Sequence, residues 1–330
     1  MRTINWGIIG AGNISSKFAT ALKDMENTNI RAVAARDLKK SEIFAKEFGA
    51  DIAYGSYEEL ANDPEVDVVY IGTLHTEHKK NTELCLKNKK AVLCEKPFTL
   101  NAKDTNYLMN LAKENNVFLM EAMWTKFLPV TNKVKAWIAE GKIGTVKRIE
   151  IGFGFSNPID YTSRAFNYDM AGGALLDMGV YPITYAIDIM GALPVKMESY
   201  AGILENGVDE HNLTIFQFEN GAIASLSSAV SVNVGKSAVF VGDKGKIEVD
   251  EFWVADKAYV YDNSGNLVDT YEEESRINGY EFEAYEVNQC LRESKLESDR
   301  LPLQDTLDIM EIMDGIRSKW GLKYKQEIDD

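Results

Sequence analysis

The sequence predicts a chain in two parts. An α/β doubly wound parallel sheet comes first, followed by an α+β domain built on a large, mostly antiparallel open sheet. Three observations predict this. The apolar run Ile4-Asn5-Trp6-Gly7-Ile8-Ile9 ends in two glycines one residue apart, and a helical pattern follows them directly. Strand and helix patterns then alternate without a low-complexity break as far as residue 120, the mark of a parallel sheet wound with helices. From Gly144 onward the pattern changes, and short segments alternate apolar and polar residues, as half-exposed antiparallel strands do.

Composition narrows the function. A formal net charge of −15 argues against a nucleic-acid-binding face, which needs clustered Lys and Arg. The three cysteines, Cys85, Cys94 and Cys290, have neither metal spacing nor a disulfide framework. They suit a reducing cytoplasm. The chain starts straight into a strand without signal-peptide architecture, and no stretch is long and apolar enough to span a bilayer. At 330 residues, two domains are expected, here 1–122 and 123–330.

In chain order, residues 4–9 read as a buried strand and 13–26 as a helix with Ile14, Phe18, Ala21, Leu22 and Met25 on one face. Between them, Gly10 allows a tight turn. Gly12 lets the backbone approach a pyrophosphate, whose charge rests on the free N–H groups of the helix N-terminus. This is the Rossmann dinucleotide-binding pattern, with Ser15 at its third glycine position. Ser is small enough to preserve close helix–strand packing. Strand 29–35 leads to Ala35-Arg36-Asp37. The acid that holds a ribose 2′-hydroxyl in NAD sites is missing from the strand tip. Arg36 suits a 2′-phosphate and stacks on adenine, so NADP is the expected cofactor. Asp37 keeps NAD open.

Helices 38–48 and 56–62, strand 66–72, helix 76–88, strand 90–94, helix 101–115 and strand 117–120 complete the first domain. In such sheets ligands bind beyond the carboxyl ends of the strands. Loops 10–15, 36–37, 72–78 and 95–97 are therefore expected on one edge. His75 and His78 lack a third metal ligand, so no metal is expected. They read as helix-capping and cleft-lining residues.

In the second domain, helix 127–139 precedes the first alternating segment at 144–151. Others follow at 195–204, 210–219, 221–231, 236–241, 244–249, 258–262 and 266–271, joined by turns such as Asn263-Ser264-Gly265. Helix 173–190 falls between the first two strands. Helices 279–293 and 303–320 end the chain, and a terminal helix is expected to pack back on the first domain.

The Glu95-Lys96-Pro97 turn, taken with Gly10-Ala11-Gly12-Asn13-Ile14 and Thr73-Leu74-His75-Thr76-Glu77-His78, resembles the Gfo/Idh/MocA oxidoreductase family. A second matching stretch is Gly172-Gly173-Ala174-Leu175-Leu176-Asp177-Met178-Gly179-Val180-Tyr181. The resemblance covers essentially the whole chain. Through Ala34-Ala35-Arg36-Asp37, Glu121-Ala122-Met123-Trp124-Thr125 and the Tyr181 ending, it is nearest the dimeric dihydrodiol dehydrogenase and NADP-linked xylose dehydrogenase branch.

That resemblance implies a dehydrogenase acting on a CH–OH group of a sugar or cyclic diol. Lys96 would lie between the nicotinamide ribose and the reacting carbinol, with Tyr181 as acid and base and Asp177 orienting. An ammonium hydrogen-bonds a developing alkoxide and a phenol transfers its proton, so the chemistry agrees. Gly10, Ala11, Gly12, Asn13, Ile14, Arg36, Thr73, Leu74, His75, His78, Glu95 and Lys96 are the candidate cofactor residues. Arg164 joins them, although the Trp that precedes it in many relatives is absent. Trp124, Phe155, Trp253 and Tyr280 are candidate substrate walls beside Asp177 and Tyr181, and Arg148 is a candidate for a substrate hydroxyl. Two other readings stay open on the same fold: a cofactor-binding sensor without turnover, and a nicotinamide-dependent glycosidase. The C-terminal sheet leaves one face needing cover, so a homodimer through it is expected.

Overall fold

The computed structural model describes residues 1–327. Two compact units emerge: Met1–Trp124 with Ser275–Met310, and Thr125–Glu274 with the chain from Glu311 onward. No helix among the described residues is long and apolar enough to cross a membrane.

The first unit runs β1 (Ile4–Ile9), α1 (Asn13–Lys23), β2 (Thr28–Ala34), α2 (Leu38–Phe48), β3 (Ile52–Tyr54), α3 (Tyr57–Asn62), β4 (Val68–Ile71), α4 (His78–Lys87), β5 (Ala91–Glu95), α5 (Ala102–Asn115) and β6 (Leu119–Ala122). The sheet order is β3-β2-β1-β4-β5-β6 with every pair parallel. The winding reverses between β1 and β4, where such sheets bind ligands. β4 and β5 are buried along their whole length, as parallel strands covered on both faces must be. β3 was not foreseen. It has three half-buried residues, too few for any periodicity to show.

Local signals set the helix ends. Asp37 caps α2 by accepting from the Lys39 N–H, and Ser56 and Glu59 form a capping box on α3. In the core, Phe18 of α1 stacks on Tyr70 at 3.9 Å and meets Trp6 edge-on at 5.2 Å.

The second unit contains α6 (Pro129–Ala139), β7 (Val146–Gly154), α7 (Val180–Met190), β8 (Lys196–Ile203), β9 (Asp209–Gln217), β10 (Ile223–Ala229), β11 (Ser237–Gly242), β12 (Gly245–Asp250), β13 (Lys257–Asp262) and β14 (Leu267–Glu272). Its eight strands follow the order β14-β13-β12-β11-β7-β10-β9-β8. β7 and β10 run parallel and their neighbours antiparallel. Ile149, Ile151, Phe153, Leu226, Phe240 and Ile247 are buried on the inner face, where α6 and α7 lie. Arg148 is on the other face, ion-paired to Glu150 at 2.6 Å and largely solvated.

Two helices follow: α8 (Tyr280–Arg292) and α9 (Leu303–Trp320). α8 belongs to the first unit, beside α1. There Trp6 Nε1 donates to Asn288 Oδ1 at 3.0 Å.

The single helix expected over 173–190 is replaced by a π-helical turn, Leu175–Gly179, that runs into α7. Two features explain its start. Gly173 has φ of +132°, open to glycine, and a Cβ there would overlap Asp209 Oδ1. Asp209 also accepts from the Leu175 N–H at 2.7 Å. π-turns recur at functional positions, and this one carries Asp177.

Candidate active site

In the first unit the carboxyl ends of β1, β2, β4 and β5 are tied together by their loops. The Gly10 N–H donates to Ala34 O at 2.9 Å. Gly10 has φ of +98°, and a Cβ on it would come within 2.9 Å of Gly72 O. Gly12 is the N-cap of α1 and contributes no side-chain cap, and the first turn holds no acid. A Cβ at Gly12 would meet nothing within 4 Å. Uncapped N–H groups beside an open glycine suit the pyrophosphate of a dinucleotide. Ala11, Gly12, Asn13 and Ile14 are all at least partly exposed, whereas Ser15 is fully buried against Gly72.

Arg36 is exposed at the end of β2, and its charge lowers the proton affinity of the Tyr57 hydroxyl, against the larger effect of burial. Asp37, the acid that kept NAD open, is engaged as the cap of α2, its Oδ1 accepting from Lys39 at 3.0 Å.

His78 clamps two loops. Its Nδ1 lies 2.9 Å from Pro97 O and its Nε2 3.2 Å from Thr73 O. Two carbonyls would suit an imidazolium, yet burial outweighs them and brings the ring down to about 4. The neutral ring donates to one of the two carbonyls. Asn81 Nδ2 donates to Thr73 Oγ1 at 3.1 Å. His75 is buried, and Leu74 is exposed.

Lys96 is half-buried. Its N–H donates to Glu95 Oε2 at 3.1 Å, and Glu95 Oε1 accepts from the Tyr70 hydroxyl at 2.6 Å. On the other side of Pro97, the Phe98 N–H donates to Glu121 Oε1 at 3.1 Å, and Glu121 Oε2 accepts from Thr306 Oγ1 at 3.0 Å. Sequence reasoning missed this role of Glu121. An acid within an otherwise apolar buried strand was the available signal. Trp124 stacks on Tyr280 at 4.3 Å within the same unit.

In the second unit, Arg164 Nη2 pairs with Asp177 Oδ2 at 2.7 Å. Asp177 is nearly buried while the arginine side chain keeps 42% of its surface exposed. The guanidinium is held above its ordinary value chiefly by Asp177, with a smaller contribution from Tyr181. Tyr181 is buried at the start of α7 and meets Phe153 edge-on at 5.3 Å. Phe153 stacks on Trp253 at 4.1 Å, and Trp253 meets Phe155 at 6.1 Å. Phe155, Asp177, Tyr181, Trp253 and Arg164 thus form one neighbourhood. Phe153, its hub, was not singled out, although period-two alternation in β7 puts it on the face of Phe155.

A phosphate-ready loop at the switch point of a doubly wound sheet marks a dinucleotide-binding α/β protein. Residues 4–123 match the profile of the oxidoreductase family with an NAD-binding Rossmann fold, and residues 131–248 match the GFO/IDH/MocA C-terminal domain. The chain belongs to the Gfo/Idh/MocA oxidoreductase family.

Trans-1,2-dihydrobenzene-1,2-diol dehydrogenase of Mus musculus is 35% identical over 331 residues, covering 98% of this chain and 99% of the relative. The Danio rerio enzyme of the same name is 35% identical over 332 residues, with the same coverage. Among solved structures, aldose-aldose oxidoreductase from Caulobacter crescentus complexed with glycerol superposes with a TM-score of 0.88. It shows 21% identity and covers 97% of this chain and 98% of its own. A 3-ketoreductase from Actinomadura kijaniata in complex with NADP and TDP-benzene gives 0.84 at 22% identity, covering 96% and 98%. These two likenesses show the fold.

Proposed function

We propose that the protein transfers a hydride between NADP and a carbinol or carbonyl carbon of a sugar or cyclic diol. The nicotinamide supplies the hydride chemistry when bound. The N-terminal domain binds the dinucleotide: Gly10, Ala11, Gly12, Asn13 and Ile14 receive the pyrophosphate, Arg36 the 2′-phosphate, and Thr73, Leu74, His75, His78 and Glu95 line the rest. The residues after 122, apart from those that pack on the first unit, bind substrate. Tyr181 moves the proton at the substrate oxygen, Lys96 polarises that oxygen and Asp177 orients. Arg164 completes the cofactor residues, and Trp124, Phe155 and Trp253 supply apolar walls for a ring.

The observation that carries this reading is the Arg164–Asp177 pair at 2.7 Å, directly before Tyr181 on its buried helix. An ion-paired acid beside a phenol suits recognition of polar hydroxyls. Lys96→Ala and Tyr181→Phe are each expected to lower kcat by about 100-fold or more, with NADPH binding retained by fluorescence titration. Undiminished turnover in either variant rejects the assignment. A screen of sugars and diols, followed at the reduced-nicotinamide band, separates a dehydrogenase from a sensor. Product analysis separates it from a glycosidase.

Two copies are inferred to pair through the outer face of the eight-stranded sheet. There Tyr200, 72% exposed, sits in register with Leu213, itself exposed. Light scattering at monomer mass rejects that pairing. The three buried free cysteines fit a cytoplasmic location.

A further inference from the structure

Glu283, on α8, is wholly buried, and neither of its carboxyl oxygens has a hydrogen-bond partner. An isolated charge in such a place costs far more than a neutral group. The charged groups acting on it are the carboxylates of Glu95 and Glu121, and the same cluster contains the hydroxyls of Tyr70 and Tyr280. Burial first, then these two carboxylates, raise its proton affinity well above that of an ordinary glutamic acid.

The two neighbouring acids have defined tasks. Glu95 holds the N–H of Lys96 and Glu121 holds the N–H of Phe98, the two amides that flank Pro97. The turn that presents Lys96 is therefore gripped on both sides by carboxylates. Each also accepts from a hydroxyl, Tyr70 on Glu95 and Thr306 on Glu121. A third negative charge in the same dry space would repel both and loosen the grip.

We propose that Glu283 is a positioning residue for Lys96: as an uncharged carboxylic acid it lets Glu95 and Glu121 remain charged and hold the Lys96-Pro97 turn. Ionisation of Glu283 releases that hold. The link to catalysis rests on the role of Lys96 given above. The protonation of Glu283 and its effect on the fold do not.

The test compares the full-length protein with Glu283→Gln and with Glu283→Leu, two uncharged replacements. Infrared spectroscopy of the ligand-free protein should show the C=O stretch of a protonated carboxylic acid at neutral pH. Burial also raises the Asp209 carboxyl, to about 7, so part of the band is common to all three proteins. The Glu283 component should be missing from both variants and should fade from the wild type as pH rises. Melting temperature should fall with rising pH more steeply in the wild type than in either variant. With a substrate from the sugar and diol screen, wild-type kcat should decline beyond the pH where the band fades, by about tenfold per pH unit. Both variants should lack that limb. Absence at neutral pH of a band component that both variants lose overturns the proposal, as does a wild-type alkaline limb shared by both variants. If the band and the melting difference appear while Lys96→Ala turns over normally, the catalytic role of Lys96 fails and Glu283 remains as the neutral support of the turn. Should both variants fail to fold, the titration of the band that remains in Asp209→Asn, which removes the other raised carboxyl, against the kcat of that variant decides.

Discussion

Asp209 Oδ2 accepts the backbone N–H of Leu175 at 2.7 Å and the side-chain amide of Asn212 at 3.2 Å. One buried aspartic acid side chain on β9, raised by burial to about 7, thereby anchors the start of the π-turn that carries Asp177 and leads to Tyr181. Asp209→Ala leaves the Leu175 N–H buried and unpaired, a loss of about 1–3 kcal/mol. Urea unfolding should report that loss. The same variant should lower kcat more than it raises KM, because the turn that presents Asp177 loses its anchor.

Ser15 presses its buried Oγ against Gly72, at the place where glycine is usual in the phosphate loop. The helix and strand stay close because the missing Cβ belongs to the opposite partner. A Cβ on Gly72 would overlap Ser15 Oγ and come within 2.8 Å of Tyr70 Cε1. Gly72→Ala should therefore cost about 1–3 kcal/mol through overpacking. Adding Ser15→Gly should recover part of that cost. A double-mutant cycle with no coupling between the two would contradict the packing account.

Arg36 is the residue proposed above for the 2′-phosphate, and its neighbour Asp37 caps α2. A charge-assisted hydrogen bond contributes about 1.5–3 kcal/mol. Arg36→Ala should raise KM for NADP by about 10- to 100-fold and leave KM for NAD little changed. A parallel rise for both dinucleotides would place Arg36 outside the 2′-phosphate site.

His78 is neutral in the folded protein because burial brings it from 6.5 to about 4. Between these values the unfolded chain binds the proton that the folded chain refuses, so stability falls as pH drops from 6.5 toward 4. The full effect is about 3 kcal/mol, at 1.36 kcal/mol per pH unit. His78→Gln keeps a donor for Pro97 O and removes the titration. Its stability should fall less across that window in thermal melts.

Much of the fold was legible in the residues. Buried apolar runs, helical faces and the Gly10–Gly12 spacing mark most strands and helices to within a residue or two, because these are local properties of pattern and backbone freedom. α1 ends three residues earlier than expected, at Lys23, and β7 runs three residues further, to Gly154. α9 covers the expected 303–320, and β5 begins one residue late and ends on Glu95. Residues without a local signal escaped. Glu283 looks like a solvated helix charge in sequence, and Phe153 like any strand aromatic.

The chain alone determined the doubly wound start, the antiparallel second half, the family and the candidate lysine, tyrosine and aspartate. Each follows from short-range pattern or from a motif. Tertiary structure decided that Ser15 is accommodated by Gly72, that Asp37 serves as a cap, that residues 173–190 begin as a π-turn, and that Glu95 and Glu121 hold the N–H groups of Lys96 and Phe98. These depend on groups tens to hundreds of residues apart meeting in space. Burial, overlap and electrostatic repulsion act on distance in the fold, which spacing along a sequence does not record.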